Sequence, residues 1–154
     1  MCGISGIIQK ENKFNINEKI NKFIDTLKHR GPDNKEQWTN INGTVALGHN
    51  RLSIIDLSNN GNQPMISDNG RYVITFNGEI YNYRELKKKI QQIDLNTIWQ
   101  SDTDTEVILK LLNYFDFENV LNQLDGMFAF AVYDNKENNL FLARDRAGEK
   151  PLYY

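Results

Sequence analysis

The sequence predicts an α+β fold built on antiparallel sheets. Three observations carry this expectation: β-rich segments outnumber helical ones, several are joined as hairpins, and helical periodicities occur singly between them. A doubly wound parallel fold would instead alternate strand and helix along the chain.

The elements follow in order. GISGII, residues 3–8, is apolar and glycine-flanked, and reads as a short buried strand. Ile16, Ile20, Phe23, Ile24 and Leu27 fall on one helix face, which His29-Arg30-Gly31-Pro32 brings to an end. EQWTNI and TVALGHN are two strands joined by Asn42-Gly43, a strong hairpin signal. RLSIIDLSNNGNQPM, residues 51–65, is a long irregular connection of the kind that carries function. RYVITFN, residues 71–77, is a strand by its β-branched and aromatic content. Tyr83, Leu86, Ile90 and Ile93 line a second helix, with Asn82 as its N-cap and Glu85 three residues on. Thr103 and Glu106 form a capping-box pattern opening a third, carrying Val107, Ile108, Leu111, Leu112 and Phe115. MFAFAVYDNKENNLFLARD reads as a closing hairpin around a polar turn.

At 154 residues the chain fits one domain with a real core. Its 18 Lys and Arg against 20 Asp and Glu give a formal charge of −2, which recommends neither a nucleic-acid partner nor an acidic tail. A single Cys excludes an intrachain disulfide framework and leaves no cysteine cluster for zinc. The first residues lack the basic-then-apolar pattern of a signal peptide, and no apolar run is long enough to span a membrane. The expectation is a soluble protein of a reducing compartment, the cytoplasm.

The one cysteine is Cys2, which becomes the N-terminal residue once Met1 is removed. A lone Cys is ordinarily a small buried hydrophobe. As a nucleophile it needs a base, because a thiol of pKa roughly 8.5 is mostly protonated at neutral pH. His29 and His49 are the only histidines. A terminal Cys has another base, its own α-amine, unprotonated in part near pH 7 because its ordinary pKa is roughly 7.7–8.0. N-terminal threonine hydrolases use that device.

Other stretches offer what such a thiol would use, although each is ordinary alone. Asn77-Gly78 at a strand end presents a side-chain amide and a backbone N–H, two donors suited to an oxyanion, or simply a turn. Arg51 could grip a substrate carboxylate or sit in a surface ion pair. Glu79 and Asp102 could hold an ammonium, or be a solvated carboxylate and a helix-dipole partner. Together these groups meet the needs of an enzyme that hydrolyses the side-chain amide of a free amino acid such as glutamine.

MCGISG, HRGPD at 29–33, RLSIIDLS at 51–58, GNQPM at 61–65, FNGEIYNY at 76–83, SDTDTEVIL at 101–109, LDGMFAFAVYD at 124–134 and RDRAGEKPLYY at 144–154 occur in one order along the whole chain. In that order they resemble the glutaminase domain of glutamine-hydrolysing asparagine synthetases, class II amidotransferases of the N-terminal-nucleophile type. The resemblance implies a four-layer α/β/β/α sandwich over residues 1–154. It implies Cys2 as nucleophile, with its α-amine as base and a γ-glutamyl thioester as intermediate. It implies Asn77 and Gly78 as the oxyanion hole and Arg51 on the glutamine carboxylate. Glu79 and Asp102 would hold the ammonium, and Leu52, Ser53, Ile54 and Ile55 would line the pocket. No metal or organic cofactor is implied for this half-reaction. ATP and Mg²⁺ would serve a synthetase domain or chain, the partner that receives the ammonia, in a parent enzyme that forms a homodimer. Members of the family run on past LYY into further strands, so the resemblance implies a domain incomplete at its C-terminus. The amide acceptor is left open, aspartate or another acid, and so is a remnant that binds glutamine or a partner without turnover.

Overall fold

The structure is a computed structural model that describes residues 1–11, 13–54 and 56–154. Its elements are β1 (Gly3–Ile8), α1 (Ile16–Thr26), β2 (Asn34–Thr39), β3 (Val45–Arg51), β4 (Met65–Ile66), β5 (Tyr72–Ile80), α2 (Tyr83–Ile93), α3 (Asp104–Leu112), α4 (Phe117–Gln123), β6 (Gly126–Asp134) and β7 (Asn139–Arg144), with a 3₁₀ turn at Asn59–Gly61. Among the described residues the strands form two sheets, ordered β1-β3-β2 and β4-β5-β6-β7, and every pairing is antiparallel.

Side-chain alternation explains the layers, since successive strand residues face opposite sides. On β5, Val73 packs with Val45, Leu47, Ala131 and Tyr133 between the sheets. Ile74 and Phe76 face the other way, with Phe130 and Val132, onto Leu86, Ile90, Ile108 and Leu111 of α2 and α3. On the far side, Ile16, Ile20 and Ile24 of α1 lie on Ala46 of β3. The order of layers is therefore α1, three-stranded sheet, four-stranded sheet, α2–α4, the expected α/β/β/α sandwich. Phe130 is fully buried at the centre of an aromatic cluster with Phe76, Phe117 and Phe128.

Three local features differ from the sequence expectation. Asn82 precedes α2 but makes no side-chain cap. Its amide instead donates to the Gln123 carbonyl and its oxygen accepts from the Asp125 N–H, joining α2 to the loop before β6. The capping box of α3 is half formed: Thr103 Oγ1 accepts from the Glu106 N–H, but the Glu106 carboxylate turns to the Gln100 and Ser101 N–H groups. The third helix also ends at Leu112, and the separate α4 carries Phe117 and Val120 into the core. None of the described helices is long and apolar enough to cross a membrane.

Candidate active site

Register brings the functional stretches to one end of the sandwich. Gly3 pairs with Asn50, so the antiparallel ladder sets Cys2 beside Arg51 at the end of β3. The Cys2 thiol is half-buried and free, and the Leu52 N–H lies 3.4 Å from its Sγ. Across the gap, Asn77 shares the inter-sheet face of β5 with Val73 and with Thr75, whose hydroxyl donates to the Gly48 carbonyl. Met1, Cys2, Arg51, Leu52, Ile54, Gln63, Asn77, Gly78, Glu79, Asp104 and Lys150 are among the residues lining one cavity there.

The free edge of β5 supplies a backbone donor. Ile74 pairs with Met65 of β4 on that edge, so by alternation the N–H groups of residues 76, 78 and 80 point the same way. The Phe76 N–H donates to Gln63 Oε1 at 2.7 Å, and the Ile80 N–H to Asp104 Oδ2 at 2.9 Å. Gly78 lies between them, its N–H directed into the cavity and unclaimed by a neighbouring strand. A side chain at 78 has no room, because a Cβ there would lie 2.3 Å from the Met127 carbonyl oxygen. The Asn77 side chain makes no hydrogen bond among the described residues, and Asn77 and Gly78 both line the cavity.

Arg51 is nearly buried and organises the loop that follows it. Its guanidinium donates to the carbonyls of Asp56 and Ser58 and to Asn62 Oδ1. Of its five N–H groups, these three are occupied; among the described residues the Nε–H and one Nη–H have no acceptor. Gly61 packs flat on this group, where a Cβ would come within 2.2 Å of Nη2.

The acidic side of the cavity is Glu79 and Asp104, not Asp102. Asp102 precedes the Thr103 cap and points into solvent, its side chain 87% exposed and 3.2 Å from Lys87 Nζ. Asp104, the first residue of α3, turns back to β5 and is buried. Burial drives its carboxyl up to about 6, against the lowering effect of the Ile80, Thr105 and Asp104 N–H groups, and the charge of Glu79 adds to the rise. Such a group gains most from a cation placed beside it.

The other expected residues divide. Leu52 and Ile54 line the cavity, but Ser53 does not: its N–H is tied to Asp33 Oδ2 at 2.8 Å. Ile55 lies outside the described residues. Neither histidine reaches the cavity. His29 Nδ1 lies 3.1 Å from the Thr26 carbonyl at the end of α1. His49 is buried between the sheets, where desolvation holds its imidazole down at about 4 despite its bond to the Phe76 carbonyl.

Lys150 and Gln63 line the cavity without any local sequence signal for doing so. Lys150 is buried, with its Nζ 2.8 Å from the Met1 sulfur, and Asp145 holds its backbone in place by accepting its N–H along with those of Glu149 and Phe128. Among the described residues no group of His, Cys, Asp and Glu is arranged to hold a metal ion.

The family model described as "Glutamine amidotransferase domain" matches residues 1–154. A Methanocaldococcus jannaschii protein provisionally named asparagine synthetase (glutamine-hydrolysing) 2 is 44% identical, aligned over all of this chain and 32% of its own length. Asparagine synthetase (glutamine-hydrolysing) 3 of Bacillus subtilis is 38% identical over all of this chain and 25% of its own length. The chain thus spans about a quarter to a third of these relatives. Among solved structures, the B. subtilis glutamine phosphoribosylpyrophosphate amidotransferase superposes with a TM-score of 0.69 at 18% identity, over 94% of this chain and 37% of that one, and shares its fold. With the matched family model running its full length, the chain belongs to the glutamine amidotransferase domain family.

Proposed function

We propose that the domain releases ammonia from glutamine through a Cys2 γ-glutamyl thioester, as the ammonia-supplying half of an enzyme that makes asparagine from aspartate, ATP and glutamine. The observation that carries this reading is the convergence of a thiol, the Asn77 amide and the Gly78 N–H on one cavity that also holds Arg51, Glu79 and Asp104. Glutamine is a zwitterion with a side-chain amide, and each part finds a counterpart there. The two remaining Arg51 donors take the α-carboxylate. Glu79 and Asp104 take the α-ammonium, the role that Asp102 is too exposed to fill.

With Met1 removed, the Cys2 α-amine accepts the thiol proton and Sγ attacks the side-chain carbonyl carbon. The C=O π pair moves onto oxygen, where Asn77 and Gly78 stabilise it; such donors act strongly because they are fixed before charge develops. The C–N bond then breaks, the amine returns its proton to the departing nitrogen, and ammonia leaves. Water, deprotonated by the same amine, cleaves the thioester to glutamate and regenerates the thiol. The absence of a histidine from the cavity supports the amine as base. No metal or organic cofactor takes part in these steps; ATP and Mg²⁺ belong to the synthetase partner.

Glutamate release by wild type and Cys2→Ala, with intact mass to confirm loss of Met1, tests the reading. Release from wild type alone supports it, and equal release from Cys2→Ala refutes the nucleophile.

A further inference from the structure

We propose that Gln63 is a positioning residue for the oxyanion site, a side-chain spacer that keeps the Gly78 N–H open; this rests on the glutaminase reading above. The β4–β5 ladder pairs Ile66 with Val73 and Met65 with Ile74. Continued by two and then four residues past Met65, that register sets Gln63 opposite Phe76 and Gly61 opposite Gly78. Backbone pairing at those positions would bring the strands to about 4.8 Å and consume the Gly78 N–H. The ladder stops instead. Pro64 has no N–H to offer, and Gln63 meets Phe76 through its side chain, Oε1 accepting the Phe76 N–H at 2.7 Å. The length of that side chain holds the 61–63 backbone away from β5, and the space between is the cavity that Gly61, Gln63 and Gly78 all line.

The spacer is anchored on every side. Gln63 is buried, and its Nε2 donates to Thr105 Oγ1 at 3.1 Å in the first turn of α3. The Phe76 carbonyl, on the same open edge, accepts from the buried His49 at 3.1 Å. A carbonyl only accepts, so the neutral ring donates from Nε2. Asp104 clamps the other end through the Ile80 N–H. The edge from 76 to 80 is therefore pinned by side chains at both ends, and Asn77 and Gly78 are fixed between them without a neighbouring strand on that edge.

The test compares wild type, Gln63→Leu and Gln63→Glu on two ligands. Glutamine reports ground-state binding and turnover. Glutamate γ-semialdehyde reports the oxyanion site: Sγ bonds to its aldehyde carbon, the π pair goes to oxygen, and the thiol proton goes to the α-amine. Leu keeps the bulk but no acceptor, and should lower kcat roughly ten- to hundredfold and weaken the semialdehyde by a similar factor, with KM for glutamine within about threefold. Glu keeps an acceptor for the Phe76 N–H and should recover most of both. Thr105→Val, which removes only the far anchor, should lower kcat about three- to tenfold at unchanged KM, and it decides the matter should Gln63→Leu not fold. Equal losses of glutamine and semialdehyde affinity, or an unchanged kcat in both Gln63→Leu and Thr105→Val, overturn the inference alone. A wild type that neither hydrolyses glutamine nor binds the semialdehyde overturns the glutaminase reading and this inference with it.

Discussion

Replacing Asp104 by Asn separates what this residue costs the fold from what it gives the site. Burial raises its carboxyl from an ordinary 3.8 to about 6, worth roughly 3 kcal/mol. The sign follows from proton counting. Between those values the folded protein keeps the proton and the unfolded chain has released it, so stability present at pH 4 is lost as pH rises to about 6. His49, held down at about 4, acts in the opposite sense over much of the same range, so the wild-type curve alone conceals both. The difference between variant and wild type isolates Asp104, because Asn carries no charge and its Oδ1 still accepts the Ile80 N–H. Urea denaturation at pH 4, 5, 6 and 7 should show the variant gaining roughly 2–3 kcal/mol on wild type across the series. Glutamine binding should move the other way: wild-type affinity falls up to about tenfold per pH unit below 6, as the ammonium competes with a proton for Asp104. The variant binds weakly and loses that dependence. Parallel stability curves, or unchanged glutamine affinity in the variant, would refute the reasoning.

Asp102→Asn should leave KM for glutamine within about twofold and stability within roughly 0.5 kcal/mol, because its ion pair with Lys87 is exposed; a large rise in KM would return the ammonium role to Asp102. Gly78→Ala places a Cβ 2.3 Å from the Met127 carbonyl oxygen and should cost about 1–3 kcal/mol or more as β5 moves off β6. Turnover should fall with it, read by parallel denaturation and glutaminase assays. Gly61→Ala drives a Cβ against the Arg51 guanidinium and should raise KM with little change in kcat. Phe130→Ala, in the fully buried aromatic cluster, should cost about 3–5 kcal/mol by denaturant titration.

All the strands but β4, with α1, α2 and both hairpins, were legible because their signals are local: periodicity and turn residues. Asp102, the aspartate singled out from the sequence, lies outside the cavity, and only a distant fact shows it. SDTDTE offers two aspartates around one N-cap, and only the open edge of β5 selects Asp104, whose carboxylate it meets through Ile80. Asn82 misled for the same reason, since its cap chemistry is spent on Gln123 and Asp125. Two-residue β4 is too short to show a period, and α4 was hidden by its length and the polar residues around Phe117 and Val120. Gln63 and Lys150 have no local signature at all; their places follow from where a ladder stops and where the loop after β7 returns.

That return joins residues far apart in the chain: Met1 and Cys2 form one side of the cavity and Lys150 another. The site is thus late to assemble as the chain leaves the ribosome, since a nascent polypeptide carries its thiol from the outset but lacks a wall of the cavity until residue 150 has emerged. The same delay leaves Met1 accessible to trimming until Lys150 has emerged. Under the proposed glutaminase reading, activity therefore reports folding from β1 through to the loop after β7.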